Sequence, residues 1–467
     1  MEKTCLIKEP QKKQKLNEED QDIDENNKCL GDLPEEILRH ILSFLPTKDA
    51  VRTSLLSKRW EYLWASIPNL DFGRSFPAKR NLLMNFVERV LCLRDSYAIK
   101  QFTLSCDVLH DASRVNRWIS AVVRHNVQEL YIKLDNFKGK FSLPYCLFTC
   151  KTLISLHLRM SYILKLPTTI CFSNLKTLTI IKVTFSDEYL TQQFFSGLPV
   201  LENLCLKNCS WKGLKFVHLS APKLHSLSIT ELKWLNLSYG DGCQIMIFAL
   251  GLKKFDYFGE LFNEYCLYKS FSLERAEINV ILDNASAQIA HRMYKLLIGL
   301  SNVEVLSLSL EVVEALRDAG ERLYHMPMFN NLANLVFFEG STIDLGCVGL
   351  LRILHNSPCL KTMKFSWGIS LRENDDWKLD PLPPCFLSHL KWIVVRNYDG
   401  DKEEFFAMKI LLKNAIVLDE IDIYCSERLA GNLEKQVNLC KQLIEIPKGS
   451  QNCEIVFLNP WQDVVKQ

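Results

Sequence analysis

Residues 198–206 read Leu198-Pro-Val-Leu-Glu-Asn-Leu-Cys-Leu206 and contain the phrase apolar-x-x-apolar-x-apolar. Twelve further copies follow one another along the chain, and the weakest of them is Leu130, Lys133 and Leu134. The remaining copies begin at Ile99, Leu153, Leu175, Leu224, Leu252, Leu273, Val303, Leu332, Leu360, Leu390 and Leu418. From residue 153 to residue 224 the starts lie 22, 26 and 23 residues apart, and the last five lie 29, 28, 30 and 28 apart. Ordered copies at this spacing predict a stack of similar units.

Units of about 20–29 residues with this phrase are typical of leucine-rich repeats, each made of a strand and a returning segment. No single repeat can cover its own apolar face, so the strands should stack into one curved, mostly parallel sheet, a horseshoe. Pro199, Pro222 and Pro358 lead into three phrases, and Pro marks the end of a loop because it interrupts a central strand. The central leucines should therefore be nearly inaccessible to solvent: Leu156, Leu178, Leu204, Leu227, Leu306 and Leu335.

The x position between the last two apolar residues should face the groove, because successive side chains of a strand point to opposite faces. These positions are His157, Thr179, Cys205, Ser228, Asp256, Ser307, Val336, Lys364, Val394 and Asp422. Arg159 follows its phrase on the same face, and aromatic and Arg side chains, which dominate protein-binding hot spots, collect toward the C-terminal end. We predict a protein-binding site there from Phe258, Phe338, Lys364, Trp392, Arg396 and Tyr424. The alternative is binding through the convex loops.

A different pattern occupies residues 30–64. Apolar residues from Leu33 to Leu45 recur at three- and four-residue steps, which predicts an amphipathic helix capped by Asp32 and stopped by Pro46. A second helix capped by Thr47 and a third carrying Trp60, Leu63 and Trp64 should follow. Three short helices cannot bury this many apolar side chains against one another, so the surplus apolar surface indicates a binding partner.

Composition restricts the class of protein. The chain has 467 residues, 48% of them hydrophobic, which is typical of globular proteins. A net charge of +2 argues against nucleic-acid binding driven by bulk charge, and no apolar run is long enough for a signal peptide or a membrane span. The 17 scattered cysteines are expected to be reduced thiols of a nuclear or cytoplasmic protein. Residues 1–28 are polar and should be a disordered tail, in which Lys12, Lys13 and Lys15 are either a nuclear import signal or simply solvated.

Two stretches of the chain resemble a known family. Residues 33–60, from Leu33-Pro-Glu-Glu-Ile-Leu38 to Leu55-Leu-Ser-Lys-Arg-Trp60, resemble an F-box of the plant F-box/leucine-rich-repeat/FBD type. Pro384-Cys-Phe-Leu-Ser-His-Leu390 and the residues that follow it to Ile421 resemble the FBD region that ends such proteins. The expected fold is α/β, with a three-helix F-box followed by an irregular leucine-rich-repeat solenoid. The expected segments are the tail at 1–28, F-box at 29–75, solenoid at 76–383, FBD-like final repeats at 384–440 and C-terminal cap at 441–467.

The resemblance implies that the F-box binds a Skp-type adaptor and, through it, the cullin and RING subunits of an SCF-type ubiquitin ligase. It further implies that the repeats recruit a protein substrate for ubiquitination. Carried over by position, the adaptor-binding residues are Leu33, Pro34, Ile37, Ile41, Leu45, Val51, Leu55, Leu56 and Trp60. The alternative for these residues is a small hydrophobic core without a partner.

Other functions were weighed against this one. No phosphate-binding, zinc-protease or hydrolase motif is present, and His110, Asp111 and Ser113 are sequence neighbours rather than a spatially assembled triad. We therefore expect a non-catalytic subunit without a cofactor or metal, and no nucleic-acid or membrane partner. The alternatives are a leucine-rich-repeat scaffold or a small-molecule co-receptor acting outside a ligase.

Overall fold

The computed structural model describes residues 33–73, 80–95, 97–232, 242–282, 286–317, 320–338, 340, 342–373 and 378–459. The expected tail at 1–28 and the expected helix cap Asp32 lie outside the described residues. All statements below concern the described part of the chain.

The dominant element is a fifteen-stranded sheet in which every neighbouring pair within the described residues is parallel. Its strands, in spatial order, are β1 (Asn69–Phe72), β2 (Gln101–Leu109), β3 (Glu129–Phe137), β4 (Ser155–Met160), β5 (Thr177–Ile181), β6 (Asn203–Lys207), β8 (Ser226–Glu231), β10 (Lys254–Gly259), β12 (Arg275–Val280), β13 (Val305–Leu308), β14 (Asn334–Phe337), β16 (Thr362–Phe365), β18 (Trp392–Tyr398), β19 (Glu420–Cys425) and β20 (Glu454–Leu458). Spatial order follows chain order, as expected of a solenoid.

The phrase leucines form the core of this sheet. Along most strands one side chain is buried and the next is half-exposed, which gives the sheet a covered face and an open face. All six leucines predicted to be inaccessible are no more than 3% exposed. The predicted groove residues pair with one another strand by strand, as in His157–Thr179–Cys205. The predicted register is therefore confirmed over most of the array.

Helices return the chain along the covered face, and their buried side chains join those of the strands in one continuous core. They are α3 (Arg80–Leu93), α4 (Ala112–Arg124), α5 (Tyr145–Phe148), α6 (Glu188–Ser196), α7 (Ala287–Gly299), α8 (Leu310–Arg317), α9 (Val348–His355), α10 (Pro384–Ser388), α11 (Lys402–Asn414), α12 (Glu427–Ala430) and α13 (Leu433–Ile444), with a 3₁₀ turn at Gly320–His325. The two-stranded pair β15 (Ile343–Asp344) and β17 (Ile369–Ser370) lies among them. Asp187, Ser286, Asp401 and Asn432 accept backbone N–H bonds at helix starts, as N-cap residues do.

In the middle of the solenoid the returning segments are strands instead of helices. Strands β7 (Phe216–Ser220), β9 (Gln244–Phe248) and β11 (Glu264–Tyr268) form a second parallel sheet, with α6 packed against β7 and α7 against β11. Leu214, Val217 and Leu219 repeat the spacing of the main phrase, and all three are buried. An extended return closes a repeat with fewer residues than a helix, because a strand rises about 3.3 Å per residue and a helix 1.5 Å.

The N-terminal region contains α1 (Glu35–Ser43), α2 (Thr47–Arg52) and 3₁₀ turns at Thr53–Leu55 and Leu63–Ser66. The third helix is therefore a single 3₁₀ turn, and Trp60 lies in the turn that precedes it. Thr47 does not cap α2 with its side chain. Its buried hydroxyl oxygen instead accepts a 2.7 Å hydrogen bond from the backbone N–H of Asp71, which fastens α2 to the first strand of the sheet.

Three features of the sheet differ from the sequence-based expectation. In β3 the buried residues are Leu130, Ile132 and Leu134, preceded by buried Val127, whereas Lys133 is half-buried. The phrase therefore runs through Val127, Leu130 and Ile132, and its assignment to Leu130, Lys133 and Leu134 had the wrong register. The sheet also begins one repeat earlier, at β1, inside residues 29–75. It ends with β20, inside residues 441–467, of which 460–467 lie outside the described part.

Candidate functional site

The first candidate surface is an apolar face on the N-terminal helices. In α1 the inward side is taken by Leu38 and Leu42, which are fully buried. The side chains that point away are among the most exposed large apolar groups of the described chain. This apolar face consists of Ile37 (46% exposed), Phe44 (74%), Leu45 (36%), Leu55 (88%) and Leu56 (67%). Five exposed apolar side chains within twenty residues are typical of a protein-binding surface.

The structure divides the predicted adaptor-binding residues into three groups. Ile37, Leu45, Leu55 and Leu56 lie on the apolar face, and Pro34 is exposed beside them. Leu33, Ile41 and Val51 are half-buried, so each offers part of its side chain.

Trp60 requires a correction, because it is only 5% exposed and packs in the core of the chain itself. An indole buried inside the chain has little surface to offer a partner, so Trp60 is assigned to the hydrophobic core of the chain. Phe44 was missed by the sequence argument. Its position directly before Leu45 and Pro46, where the helix ends, could have indicated an exposed aromatic side chain.

The second candidate surface is the C-terminal part of the open face. Trp392, Val394 and Arg396 alternate along β18 and so point the same way, but only Trp392 and Arg396 are half-buried, whereas Val394, predicted to face the groove, is 4% exposed. The indole Nε1 of Trp392 donates a 3.1 Å hydrogen bond to Asp422 on β19. Two cation–π contacts lie beside it: Lys364 Nζ is 4.9 Å from the Trp392 ring centroid, and Arg396 Cζ is 4.4 Å from that of Tyr424. We call these five side chains the aromatic–cation cluster: Lys364, Trp392, Arg396, Asp422 and Tyr424.

An open cleft of about 600 Å³ lies next to the aromatic–cation cluster, at the carboxyl ends of β18 and β19. Its lining combines apolar, cationic and anionic groups: Ser366, Trp367, Arg396, Asn397, Asp399, Tyr424, Cys425, Ser426, Glu427 and Arg428. Trp367 exposes about half of its side chain at this cleft. A mixed lining of this kind suits the side chains of a protein segment more than a small apolar ligand.

The structure brings four of the six predicted substrate-binding residues together, namely Lys364, Trp392, Arg396 and Tyr424. Phe258 lies on β10, five strands from β18 in the sheet order, and Phe338 directly follows β14, two strands from β18. At about 4.8 Å between neighbouring strands, Phe258 is about 24 Å away along the sheet. Phe258 is therefore not part of one contiguous site with the others. Tyr424 is only 8% exposed, so it forms the floor of the site and Arg396 lies over it.

A buried polar network occupies the middle of the solenoid. Glu231 accepts hydrogen bonds from the hydroxyls of Tyr257 (2.9 Å) and Tyr265 and from the Asn263 amide. Burial raises the pKa of Glu231, against the effect of these donors. Arg292 donates to the Leu261 carbonyl at 2.9 Å, and its own pKa is lowered by burial. The carboxylate is only 5% exposed, so the network joins the two sheets and offers no access to a substrate.

The described residues contain no group of three or more His, Cys, Asp or Glu side chains placed to hold a metal ion. Every cysteine among them is a free thiol. Cys205 lies on the open face, and Cys209 is a turn residue whose thiol donates to the Ile180 carbonyl at 3.5 Å. No helix of the described residues is long and apolar enough to cross a membrane.

Comparison with known proteins is consistent with this geometry. The F-box domain family matches residues 30–72 and the FBD family matches residues 380–423. A third family, described as the LRR repeats of FBD-associated F-box protein At5g56370, matches residues 115–243. The apolar face lies within the first match, and Trp392 and Arg396 lie within the second.

Similar full-length proteins come from Arabidopsis thaliana. F-box/FBD/LRR-repeat protein At5g56420 is 29% identical over 92% of this chain and 98% of its own length. Putative F-box protein At3g58860 is 33% identical over 71% of this chain and 72% of its own. F-box protein At3g59000 is 30% identical over 92% and 93% of the two chains.

Proposed function

The chain belongs to the F-box/FBD/LRR-repeat family, and from this premise we propose that it is the substrate-recruiting subunit of an SCF-type cullin–RING ubiquitin ligase. F-box proteins are generally non-catalytic adaptors, and the F-box implies a Skp-type partner. In this proposal the partner connects the chain to the cullin and RING subunits, and the solenoid holds a protein substrate. We also propose that it works in the nucleus, the cytoplasm or both.

The observation that carries this proposal is that the N-terminal helices and the turns after them have both buried and exposed apolar side chains. Leu38 and Leu42 pack inward, whereas Ile37 and the rest of the apolar face are open to solvent. Burying an exposed Leu or Ile side chain stabilises a complex by about 1.5–3 kcal/mol. A partner that covers the apolar face gains part of this free energy at each side chain, and less at Ile37 and Leu45, which are already more than half covered.

No catalytic step is required of the chain itself. A recruiting subunit accelerates ubiquitin transfer by holding the substrate beside the loaded enzyme, which raises its effective concentration. The aromatic–cation cluster and its cleft are the proposed substrate-binding surface. The supporting observation is that they combine aromatic and Arg side chains with an open cleft, as protein-binding hot spots do.

The adaptor step is tested by I37D and L55D, with F271D as a matched control. All three variants replace an exposed apolar side chain by a carboxylate. Phe271 is 74% exposed, as the test requires, and it is remote in sequence from the F-box. A carboxylate on the apolar face would be desolvated without a partner charge, which costs several kcal/mol. I37D and L55D should lose co-purification with a Skp-type adaptor, and F271D should retain it. Adaptor binding by both F-box variants at the wild-type level would contradict the proposal.

The substrate step is tested by substituting Phe338, Trp367 and Arg396 together by Ala. These side chains are at least partly exposed, so the fold should survive. Adaptor binding should persist, while the ubiquitin conjugates that co-purify with the wild-type complex under proteasome inhibition should disappear. Unchanged conjugates would place the substrate on another surface. A wild-type chain that binds substrate without any adaptor would favour a scaffold outside a ligase.

A further inference from the structure

The N-terminal part of the open face carries a row of cations. Lys133 on β3 pairs in register with Arg159 on β4, Arg159 with Ile181 on β5, and Ile181 with Lys207 on β6. Lys182 directly follows Ile181. We call Lys133, Arg159, Lys182 and Lys207 the basic band. Three steps between neighbouring strands, at about 4.8 Å each, spread these charges over about 14 Å across the sheet.

The positive charge of the basic band is only partly compensated within the chain. Lys133 Nζ lies 3.9 Å from the Asp135 carboxylate, which is a long ion pair. Among the described ion pairs none involves Arg159 or Lys207, and the Arg159 Nε is buried without a hydrogen-bond acceptor. Arg159 as a whole is only half-buried, so an incoming anion would meet the exposed part of its side chain and not the buried Nε.

The positive charge of the basic band changes the pKa of nearby side chains. His157 lies between Tyr131 and Thr179 in the adjacent row, and the pKa of its imidazole is lowered by burial and then by Lys207 and Arg159. The pKa of Lys182 is lowered by burial and then by Arg159. Both shifts mean that further positive charge is disfavoured here. Burial would disfavour a negative charge as well, so only the contributions of Lys207 and Arg159 favour an anion here.

The space in front of the basic band is shaped for an extended chain. The adjacent row continues from His157 with Thr179 and Cys205, whose small side chains leave a shallow floor. Tyr131 stacks toward His157, with ring centroids 5.8 Å apart, and closes the floor at the β3 end. A segment crossing these strands would have its backbone over the floor and its side chains over the basic band.

We infer that the basic band binds an extended acidic segment of the substrate protein, with Asp or Glu at alternate positions. This inference deepens the proposed function and rests on it. In an extended chain, alternate side chains lie about 6.6–6.8 Å apart, so three carboxylates cover the width of the band.

The spread of the charges distinguishes this ligand from others. A single phosphoryl group is small compared with the width of the basic band and would reach only two neighbouring cations at once. A long polyanion such as RNA would continue along the face toward Asp256 and Glu277, which lie in the row of His157, and would be repelled there. A short acidic stretch over β3–β6 avoids both difficulties.

The test uses the full chain co-purified with a Skp-type adaptor and a fluorescent synthetic peptide with Glu at alternate positions. The same peptide with Gln, and one with a single phosphoserine in place of the Glu residues, are the comparison probes. The variant R159Q/K207Q removes two charges from the band. The control K361Q/K391Q removes two charges near the amino ends of β16 and β18.

We expect the Glu peptide to bind, with affinity that falls as salt is added, and R159Q/K207Q to weaken it about tenfold. The control variant should bind the Glu peptide as tightly as wild type does. Both variants should still bind the adaptor and should have the melting temperature of wild type. Binding of Glu and Gln peptides alike, unchanged binding by R159Q/K207Q, or binding of the phosphoserine peptide alone would each overturn the inference. Failure of the wild-type chain to bind the adaptor would instead contradict the proposed function. In that case the binding of the Glu peptide to the wild-type chain alone would still test the basic band.

Discussion

The indole of Trp392 and the carboxylate of Asp422 are joined across two neighbouring strands by a 3.1 Å hydrogen bond. Asp422 is only 6% exposed, and the Lys364 ammonium lies over the other side of the indole. Trp392 therefore has two roles: its Nε1 satisfies a nearly buried carboxylate, and its ring remains part of the open face. Substitutions at this position must separate stability from binding.

W392F keeps an aromatic ring and removes the donor to Asp422. A nearly buried carboxylate without its donor costs about 1–3 kcal/mol, so the free energy of unfolding should fall by that amount. Urea unfolding of W392F, D422A and the double variant measures the pair. A coupling energy of about 0.5–3 kcal/mol is expected. Additive effects of the two single substitutions would show that the hydrogen bond contributes nothing.

L306A tests the repeat core. Leu306 is fully buried between Ala276 and Leu335 on the neighbouring strands, so truncation should reduce the free energy of unfolding by about 2–5 kcal/mol. S307A, one residue further and on the open face, should change it by less than about 0.5 kcal/mol. Urea unfolding of both variants gives the comparison. Similar effects at the two positions would contradict the assigned faces of β13.

Sequence could predict this core because a strand has a fixed period of two. Once Leu204 and Leu206 were placed inward, Cys205 had to lie on the open face, and the same reasoning held for most other strands of the sheet. It failed at β3, because the phrase was begun at Leu130 instead of at buried Val127, and this assigned half-buried Lys133 to the covered face. It also missed β1, although Ile67, Leu70 and Phe72 have the spacing of the phrase.

Other features depended on contacts that no local pattern specifies. The strands of the second sheet satisfy the period of the phrase, and only pairing with one another distinguishes them from the main sheet. Trp60 matched a family position, but its burial is decided by packing against the rest of the chain. In the substrate surface the side-chain types were predictable. The distance of Phe258 from the others depends on how many strands intervene.

Glu404 should make stability depend on pH. Its carboxylate accepts backbone N–H bonds from Asp399, Gly400 and Asp401, at 2.9, 2.7 and 3.3 Å. Burial and then the charge of Asp401 outweigh these donors and raise its pKa from 4.5 to about 7. Because the folded-state pKa is above the unfolded one, this contribution to stability is fully present below pH 4.5 and is lost as pH rises toward 7.

The measurement compares wild type with E404Q, since Gln can also occupy this position of a capping box. Between about pH 4.5 and 7 the unfolding free energy of wild type should decline relative to E404Q, by at most about 3 kcal/mol. Urea midpoints at several pH values for the two proteins give the difference. A difference that grows in favour of wild type as pH rises would reverse the predicted sign.

Gly259 should not tolerate a side chain. Its φ is +149°, and a Cβ there would lie 2.0 Å from the backbone oxygen of Glu231 on the neighbouring strand. G259A should lower the free energy of unfolding by more than about 3 kcal/mol, because the backbone of Glu231 or of residue 259 itself must move. G139A, where a Cβ meets nothing within 4 Å, should have almost no effect. Thermal melting of the two variants tests this, and equal melting temperatures would be inconsistent with the clash.

The hydrogen bond between Thr47 and the N–H of Asp71 fixes the position of the F-box helices relative to the strands of the solenoid. Because α2 is attached to β1, every strand lies a set number of steps from the F-box. The basic band begins two steps from β1, about 10 Å along the sheet, and Trp392 lies twelve steps away, about 58 Å. Adding or removing one repeat would shift a bound protein by about 5 Å relative to the adaptor. In the proposed ligase, the number of repeats, as well as the residues on the open face, would then select which lysine of a substrate meets the ubiquitin-loaded enzyme.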